Sequence, residues 1–195
     1  MTPAPSIVPG YRPKMPREWV TLLPSVAPTG REKMNGATVY VVGRRGFFLD
    51  MGKRRVNDRA LYDDAIWVVS PRVCVGFNAN CDPQHYRPDI ANLVPGVWLY
   101  RIGKHKRNSP DGYTALVQAE VFTVARDGKT RTEAPRVERG WQGINIHKGG
   151  EQSTWSLGCQ TIFGPQYDEF IGLVQQEATA YGEDLIPYAL TEKTQ

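Results

Sequence analysis

Short runs of β-branched and aromatic residues, separated by turn-forming residues, fill the middle of the chain. In one of them Val73, Val75 and Phe77 alternate with small residues, which is typical of a strand with one buried face. The pair Asp127-Gly128 is a hairpin-turn signal. The runs that predict strands are Thr38–Val42, Ile66–Val69, Arg72–Phe77, Val97–Arg101 and Thr114–Arg126. We therefore predict a mainly β fold.

One later segment has helical spacing instead. Pro165 opens it, and Asp168 and Glu169 follow near the positive end of the helix dipole. Gly182 ends the pattern, and Leu185–Leu190 has the composition of a last strand. The apolar residues of the segment recur every three to four positions: Tyr167, Phe170, Ile171, Val174, Ala178 and Tyr181. The sequence therefore predicts one principal helix with a face packed on the sheet.

The N-terminal stretch differs from the rest, because seven of the fifteen prolines lie between Pro3 and Pro28. Such a segment cannot carry a regular helix or a central strand. We predict an extended arm over residues 1–35, laid on the domain or left loose, and one folded domain over residues 36–195.

Charge and cysteine content restrict the functional classes. The 24 basic residues are interleaved with 20 acidic ones, so nucleic acid is not the expected partner. No apolar run approaches the ~18 residues of a membrane helix, and the first twenty residues lack the order of a signal peptide. We expect synthesis in the cytoplasm and no stable membrane insertion. The cysteines are expected to be free thiols, although Cys74 and Cys81 could pair.

No cofactor is expected. The three histidines are scattered, and neither metal-binding spacings nor phosphate-binding loops occur.

The stretch INIHKGGEQSTWSLGCQTIF places His147 and Cys159 at the two ends of a polar loop, with eleven residues between them. A thiolate is a strong nucleophile, and a nearby imidazole lowers the thiol pKa and relays the proton. Gly149, Gly150 and Gly158 permit close backbone approach, and N–H groups around Gly158 and Cys159 could hold an oxyanion. The alternative is a small core cysteine beside a surface histidine.

The motif Ser156-Leu157-Gly158-Cys159, preceded by a strand-borne His147, resembles the active-site signature of the L,D-transpeptidase family. Leu157 stands where that signature has a second histidine, and Gln160 replaces an aliphatic residue. Over roughly residues 40–190 the chain is more similar to phage endolysins and murein peptidases, on the runs YDDAIWVVSP, FNANCDP, GKHKRNSPDGY and GINIHKGG.

This resemblance implies an L,D-transpeptidase-like β-sandwich or barrel with its helix after the cysteine loop. It implies a peptidoglycan peptidase in which Cys159 is the nucleophile and His147 the base, with Ser156 and Gly158 completing the catalytic motif. The bond cut would join an L-centre to a D-residue of a stem peptide. The first alternative is a transpeptidase that crosslinks peptidoglycan. The second alternative is a non-enzymatic protein that binds anionic polymers. An enzyme of this kind would reach the cell wall only after release by a helper such as a holin.

Further polar and small residues in predicted loops and strand ends are candidates for binding the substrate. Each has a plainer interpretation as a turn-forming or solvated residue. The candidates are Asn57, Tyr62, Asp63, Asn80, His105, Gly149, Gly150 and Gln160.

Overall fold

The computed structural model describes residues 6–15, 29–53 and 57–192. The described residues form eleven strands and one α-helix, which confirms the mainly β architecture with one principal helix. The elements are β1 (Tyr40–Arg45), β2 (Asp64–Val69), β3 (Cys74–Asn80), β4 (Ala91–Leu93), β5 (Gly96–His105), β6 (Tyr113–Gln118), β7 (Phe122–Arg126), β8 (Arg136–Gly140), β9 (Ile146–Lys148), β10 (Gln160–Ile162), α1 (Tyr167–Tyr181) and β11 (Ile186–Glu192). Two short 3₁₀ helices, Arg31–Met34 and Gly164–Gln166, precede β1 and α1.

Eight of these strands close into a barrel in the order β1-β11-β5-β6-β9-β10-β3-β2, and β2 pairs again with β1. Most neighbours are antiparallel, but β1 pairs parallel with β11 and β9 pairs parallel with β10. A separate antiparallel sheet has the order β4-β7-β8. Closure pairs the barrel strands with neighbours on both sides, which removes exposed sheet edges.

Side chains rather than solvent fill the barrel. Alternate residues of each strand point inward, so Phe77, Leu116, Ile146 and Tyr188 lie in one continuous apolar cluster. Burying a large apolar side chain stabilises the fold by about 1.5–3 kcal/mol, so this cluster is the main source of stability.

Helix α1 packs against the barrel through the predicted face. Phe170 meets Phe77 edge-on with ring centroids 5.4 Å apart. The helix ends at Gly182, whose φ of 66° is a left-handed cap, as expected from the glycine. One predicted contact differs, because Tyr181 is 36% exposed and instead lies beneath the Arg72 guanidinium. It is the last helical residue, so it extends past the surface that the rest of the face covers.

Several strand boundaries differ from the prediction. The run Thr114–Arg126 is two strands, β6 and β7, because the chain turns between Gln118 and Phe122. Strand β5 continues to His105 because its residues from Tyr100 to His105 pair with β6. Strand β8 was not predicted, since its residues are largely exposed and polar.

Residues 6–15 of the proline-rich arm form no regular element and lie on the domain. The Tyr62 N–H donates to the Ile7 carbonyl at 2.7 Å, and the Arg12 guanidinium binds the Glu169 carboxylate at 2.7 and 2.9 Å. The predicted arm also covers residues 1–5 and 16–28, which lie outside the described residues. No helix in the described part of the chain is long and apolar enough to cross a membrane.

Candidate active site

The parallel pairing of β9 with β10 brings the predicted cysteine and histidine into one region. The register sets Gln160 opposite Ile146 and Thr161 opposite His147, and the Gln160 N–H donates to the Asn145 carbonyl at 2.9 Å. Cys159, one residue before β10, therefore lies beside Asn145. Ile146 points into the core, so its neighbours on either side along the strand point away from it.

The Cys159 thiol is half-buried and contacts two backbone groups. It accepts the Asn145 N–H at 3.3 Å and donates to the Gly143 carbonyl at 3.5 Å. Burial raises the pKa of the Cys159 thiol to about 11, although the Asn145 N–H acts in the opposite direction. This corrects the expectation of a lowered thiol pKa, because the loss of solvation outweighs the stabilising contact.

His147 is only 6% exposed, and its Nδ1 is held by two groups. Nδ1 lies 2.8 Å from the Lys148 carbonyl oxygen, which can only accept, so Nδ1 carries the proton. The Tyr113 hydroxyl lies 3.3 Å from the same nitrogen. In the neutral ring the lone pair is therefore on Nε2, as a proton acceptor requires. Burial, followed by the charge of His105, lowers the pKa of His147 to about 4.

His105, a candidate substrate-binding residue in the sequence, lies beside His147 in this region. Its ring stacks on His147 with centroids 4.2 Å apart and planes at 17°. The Asn145 Oδ1 accepts the Gln118 N–H at 3.2 Å, so the Asn145 Nδ2 is the group that donates to His105 Nδ1 at 3.0 Å. Burial lowers the pKa of His105 as well, with a smaller contribution from Lys106. We call Cys159, Asn145, His147, His105 and Tyr113 the Cys–His cluster.

Gly158 and Ser156 shape the turn before the thiol. Gly158 has a φ of 139°, and a Cβ there would lie 2.6 Å from the Ala91 carbonyl oxygen, so only glycine fits. Its N–H donates to the Ser156 Oγ at 3.0 Å, and the Ser156 hydroxyl donates to the Cys159 carbonyl. The Gly158 N–H is thus engaged by Ser156, which corrects its expected role as a free oxyanion donor. Ser156 is buried and holds the loop.

Tyr62 holds the loop between His147 and Cys159 through its hydroxyl group. Its hydroxyl donates to the Gly150 carbonyl at 2.8 Å and lies 3.2 Å from the Ser153 carbonyl. The Gly149 N–H donates to the Ile162 carbonyl at 2.8 Å. Tyr62 is fully buried, so it fixes the loop between the histidine and the cysteine from the interior side.

The structure does not bring Asn80 or Gln160 to the surface of this region. The Asn80 amide donates to the carbonyls of Arg59 at 2.6 Å and Leu61 at 2.9 Å. The Gln160 Oε1 accepts the Tyr188 hydroxyl at 3.1 Å inside the barrel. Both side chains are fully buried and hold the fold together.

Asn57 and Asp63 belong to another polar region. The Asn57 amide donates to the Asp82 carboxylate, and the Asp63 carboxylate accepts the Asp58 N–H at 2.8 Å. Burial raises the pKa of Asp63 to about 7. Neither residue is part of the Cys–His cluster.

The prediction of site residues missed Asn145, Tyr113 and Gln118. Asn145 precedes His147 by two positions, and period-two alternation in the strand was a signal that could have found it. Gln118 is buried, and its Oε1 accepts the N–H groups of Gly143 at 2.7 Å and Gln142 at 3.0 Å. It thereby positions the loop whose carbonyl contacts the thiol. No local sequence signal marks Gln118 or Tyr113.

Among the described residues, no group of three or more histidine, cysteine or acidic side chains is arranged to hold a metal ion. Comparisons of the chain with protein-family models, with curated proteins and with solved structures found no match.

Proposed function

We propose that the protein is a cysteine-dependent peptidoglycan peptidase that cleaves stem peptides through an acyl-enzyme on Cys159. The observation that carries the proposal is the Cys–His cluster. A thiol lies beside Asn145, and Asn145 in turn holds the ring that stacks on His147. The Nδ1 of His147 is held by a carbonyl, which leaves Nε2 to accept a proton.

The thiol and the imidazole start the reaction uncharged. With a pKa near 11 for Cys159 and near 4 for His147, a thiolate–imidazolium pair is a minor species at neutral pH. The thiol proton therefore passes to His147 Nε2 as the sulfur attacks the amide carbon. The Lys148 carbonyl then stabilises the imidazolium through its Nδ1–H bond.

The second half of the reaction reverses these transfers. His147 returns the proton to the leaving amine as the C–N bond breaks, and a thioester on Cys159 remains. Water attacks the thioester carbon while giving a proton to His147 Nε2. The tetrahedral intermediate then expels the sulfur, which recovers the proton from His147, so the thiol and a carboxylic acid product are formed, and the acid gives its remaining proton to solvent.

The choice of substrate rests on the resemblance of the motif Ser156-Leu157-Gly158-Cys159, with His147 before it, to L,D-transpeptidases and phage murein peptidases. A β-barrel with a helix after the cysteine loop supports the finer proposal of an L,D-transpeptidase-like domain. Leu157 supports hydrolysis over crosslinking. It is 74% exposed beside the cysteine, and its side chain offers no hydrogen bond to hold an acceptor amine in line against water.

Mass spectrometry of purified muropeptides after incubation with the protein tests the proposal. Tetrapeptide muropeptides should lose a terminal D-residue, or crosslinked dimers should split, and Cys159→Ala should leave both substrates intact. Accumulation of new crosslinked dimers would favour the transpeptidase, and unchanged muropeptides would contradict the proposal altogether.

A further inference from the structure

A surface cavity of about 510 Å³ opens at the β5–β6 end of the barrel, next to the Cys–His cluster. Its wall includes Asn145, and its remaining lining comes from the two strands and the turn that joins them. The lining residues are Arg101, Gly103, Lys104, Lys106, Arg107, Val117 and Asn145.

Four of the lining residues are cationic and exposed, and none of the four forms an ion pair with another described residue. Elsewhere the described arginines commonly face carboxylates. Arg12 binds Glu169 at 2.7 Å and Arg136 binds Asp89 at 3.0 Å, although both arginines are also exposed. The cavity therefore concentrates positive charge that the chain itself does not neutralise, which attracts an anionic ligand.

Asn145 connects this cavity to the reacting groups. It lines the cavity, its N–H donates to the Cys159 thiol at 3.3 Å, and its amide binds His105 at 3.0 Å. The charge of Lys106, which also lines the cavity, contributes to the lowered pKa of His105. An anion bound in the cavity would therefore face a wall that includes Asn145, the residue whose N–H donates to the thiol.

We propose that this cavity is a subsite for the carboxylates of an acidic peptide substrate. The guanidinium groups of Arg101 and Arg107 supply paired N–H donors that match a carboxylate, and Lys104 and Lys106 add compact charge. The inference rests on the proposed function for the bond that is cut, but binding of the carboxylates does not depend on turnover.

Calorimetric titration of the Cys159→Ala protein tests the subsite without cleavage. The ligand is a synthetic stem tetrapeptide with free carboxylates, compared with the same peptide in which every carboxylate is a primary amide. We expect the acid to bind at least about tenfold more tightly than the amide, because only the acid can pair with the cations. Equal affinity for the two peptides would overturn the subsite.

Substitutions in the same background locate the binding. Arg101→Gln and Arg107→Gln should each weaken binding of the acid by about fivefold and leave binding of the amide unchanged. Lys129→Gln, at an exposed lysine outside the cavity, is the matched control and should change neither. An equal loss in the control would show that net charge, rather than the cavity, binds the peptide, and would overturn the assignment.

Two further outcomes separate the possible failures. If the acid binds at the arginine-sensitive site but the wild-type protein does not cleave it, the proposed peptidase activity fails while the subsite stands. Inorganic phosphate is the competing anion. If it binds the Cys159→Ala protein more tightly than the peptide and loses that binding in Arg107→Gln, the site prefers phosphate and the carboxylate assignment is overturned.

Discussion

Two polar regions of this barrel differ in how completely their buried groups are bonded to partners. One surrounds Arg45, and the other is the Cys–His cluster. Arg45 is 4% exposed and surrounded by acceptors. Its guanidinium reaches Asp82 at 3.0 Å, Glu192 at 2.6 Å, and the carbonyls of Cys81 and Leu93 at 2.9 Å. Burial opposes the charge, but the two carboxylates raise the Arg45 pKa above its ordinary value.

The Cys–His cluster is held less completely. The two contacts of the Cys159 thiol are 3.3 and 3.5 Å long, and the hydrogen bonds described for the His147 ring are made by its Nδ1. A saturated network stabilises a fold because every buried group has a partner, whereas a reacting group needs one atom left available. Both regions are rich in polar groups, and only the available sulfur and imidazole nitrogen mark one of them as a candidate for chemistry.

The largest expected effect is the loss of activity in Cys159→Ala. Muropeptide cleavage should fall by ~10⁴-fold or more, because no other group supplies the nucleophile. Cys74→Ala is the matched control, since Cys74 is an exposed free cysteine outside the cluster. Cleavage is followed by chromatography, and both variants should keep the circular dichroism spectrum of the parent. Substantial turnover by Cys159→Ala would show that the Cys–His cluster is not the catalytic site.

Arg45→Met should instead act on the fold, with a large decrease in the free energy of unfolding. Removing the guanidinium leaves the buried Asp82 carboxylate without its cationic partner, which costs about 3–5 kcal/mol in the free energy of unfolding. Arg136→Met, in an exposed pair with Asp89 and Glu138, should lower the free energy of unfolding far less, because solvent screens an exposed ion pair. Urea denaturation measures both variants. Equal losses would contradict the distinction between a saturated buried network and a surface pair.

Acid should destabilise the protein through His147. The folded-state pKa of about 4 lies below the ordinary 6.5, so below pH 6.5 the unfolded chain takes up this proton first. This contribution to stability is present above pH 6.5 and is lost as the pH falls to 4, by about 3 kcal/mol in total. His147→Gln should lack that loss when urea denaturation is compared at pH 7 and pH 4.

Asp63 acts in the opposite direction, because burial raises its pKa to about 7. Its contribution is present at low pH and is lost as the pH rises from about 4 to 7. Since Asp63 is common to wild type and His147→Gln, it cancels in their difference. An identical acid response of the two proteins would show that His147 is not buried in its neutral form.

The smallest expected effects are changes in kcat, and they distinguish the roles of the two stacked histidines. His147→Gln should lower kcat by roughly 10²-fold, the usual scale for a positioned base. His105→Gln should lower it by about tenfold or less, because His105 contacts the base by ring stacking and its Nδ1 is already bonded to Asn145. The acid limb of wild-type kcat/KM should lie near pH 4, where His147 loses its proton. A larger loss in His105→Gln would transfer the role of base to that ring.

Much of the fold could be predicted because strand and helix periods are local signals. The helical face from Tyr167 to Ala178 and the glycine stop at Gly182 are both present in the structure. The division of Thr114–Arg126 into two strands could not be read from composition, since the connection Ala119-Glu120-Val121 contains no glycine, proline or other turn-forming residue. Within the site, Cys159, His147 and His105 could be proposed from their chemistry. Alternation with His147 could also have found Asn145, whereas Gln118 and Tyr113 could not be proposed, because their importance comes from neighbours distant in sequence.

The sequence by itself determined the mainly β architecture, the helix after the cysteine loop, and a histidine and a cysteine at the ends of one glycine-bearing loop. These follow from periodicity and residue type, which act over a few positions. Only the tertiary structure decided which polar residues face one another. Asn80 and Gln160 are buried and bonded internally. The cations of β5 and of the β5–β6 turn instead line a cavity together with Asn145, whose N–H contacts the thiol. Barrel closure brings together strands far apart in the chain, and desolvation, which depends on that packing, sets the pKa values of Cys159 and His147.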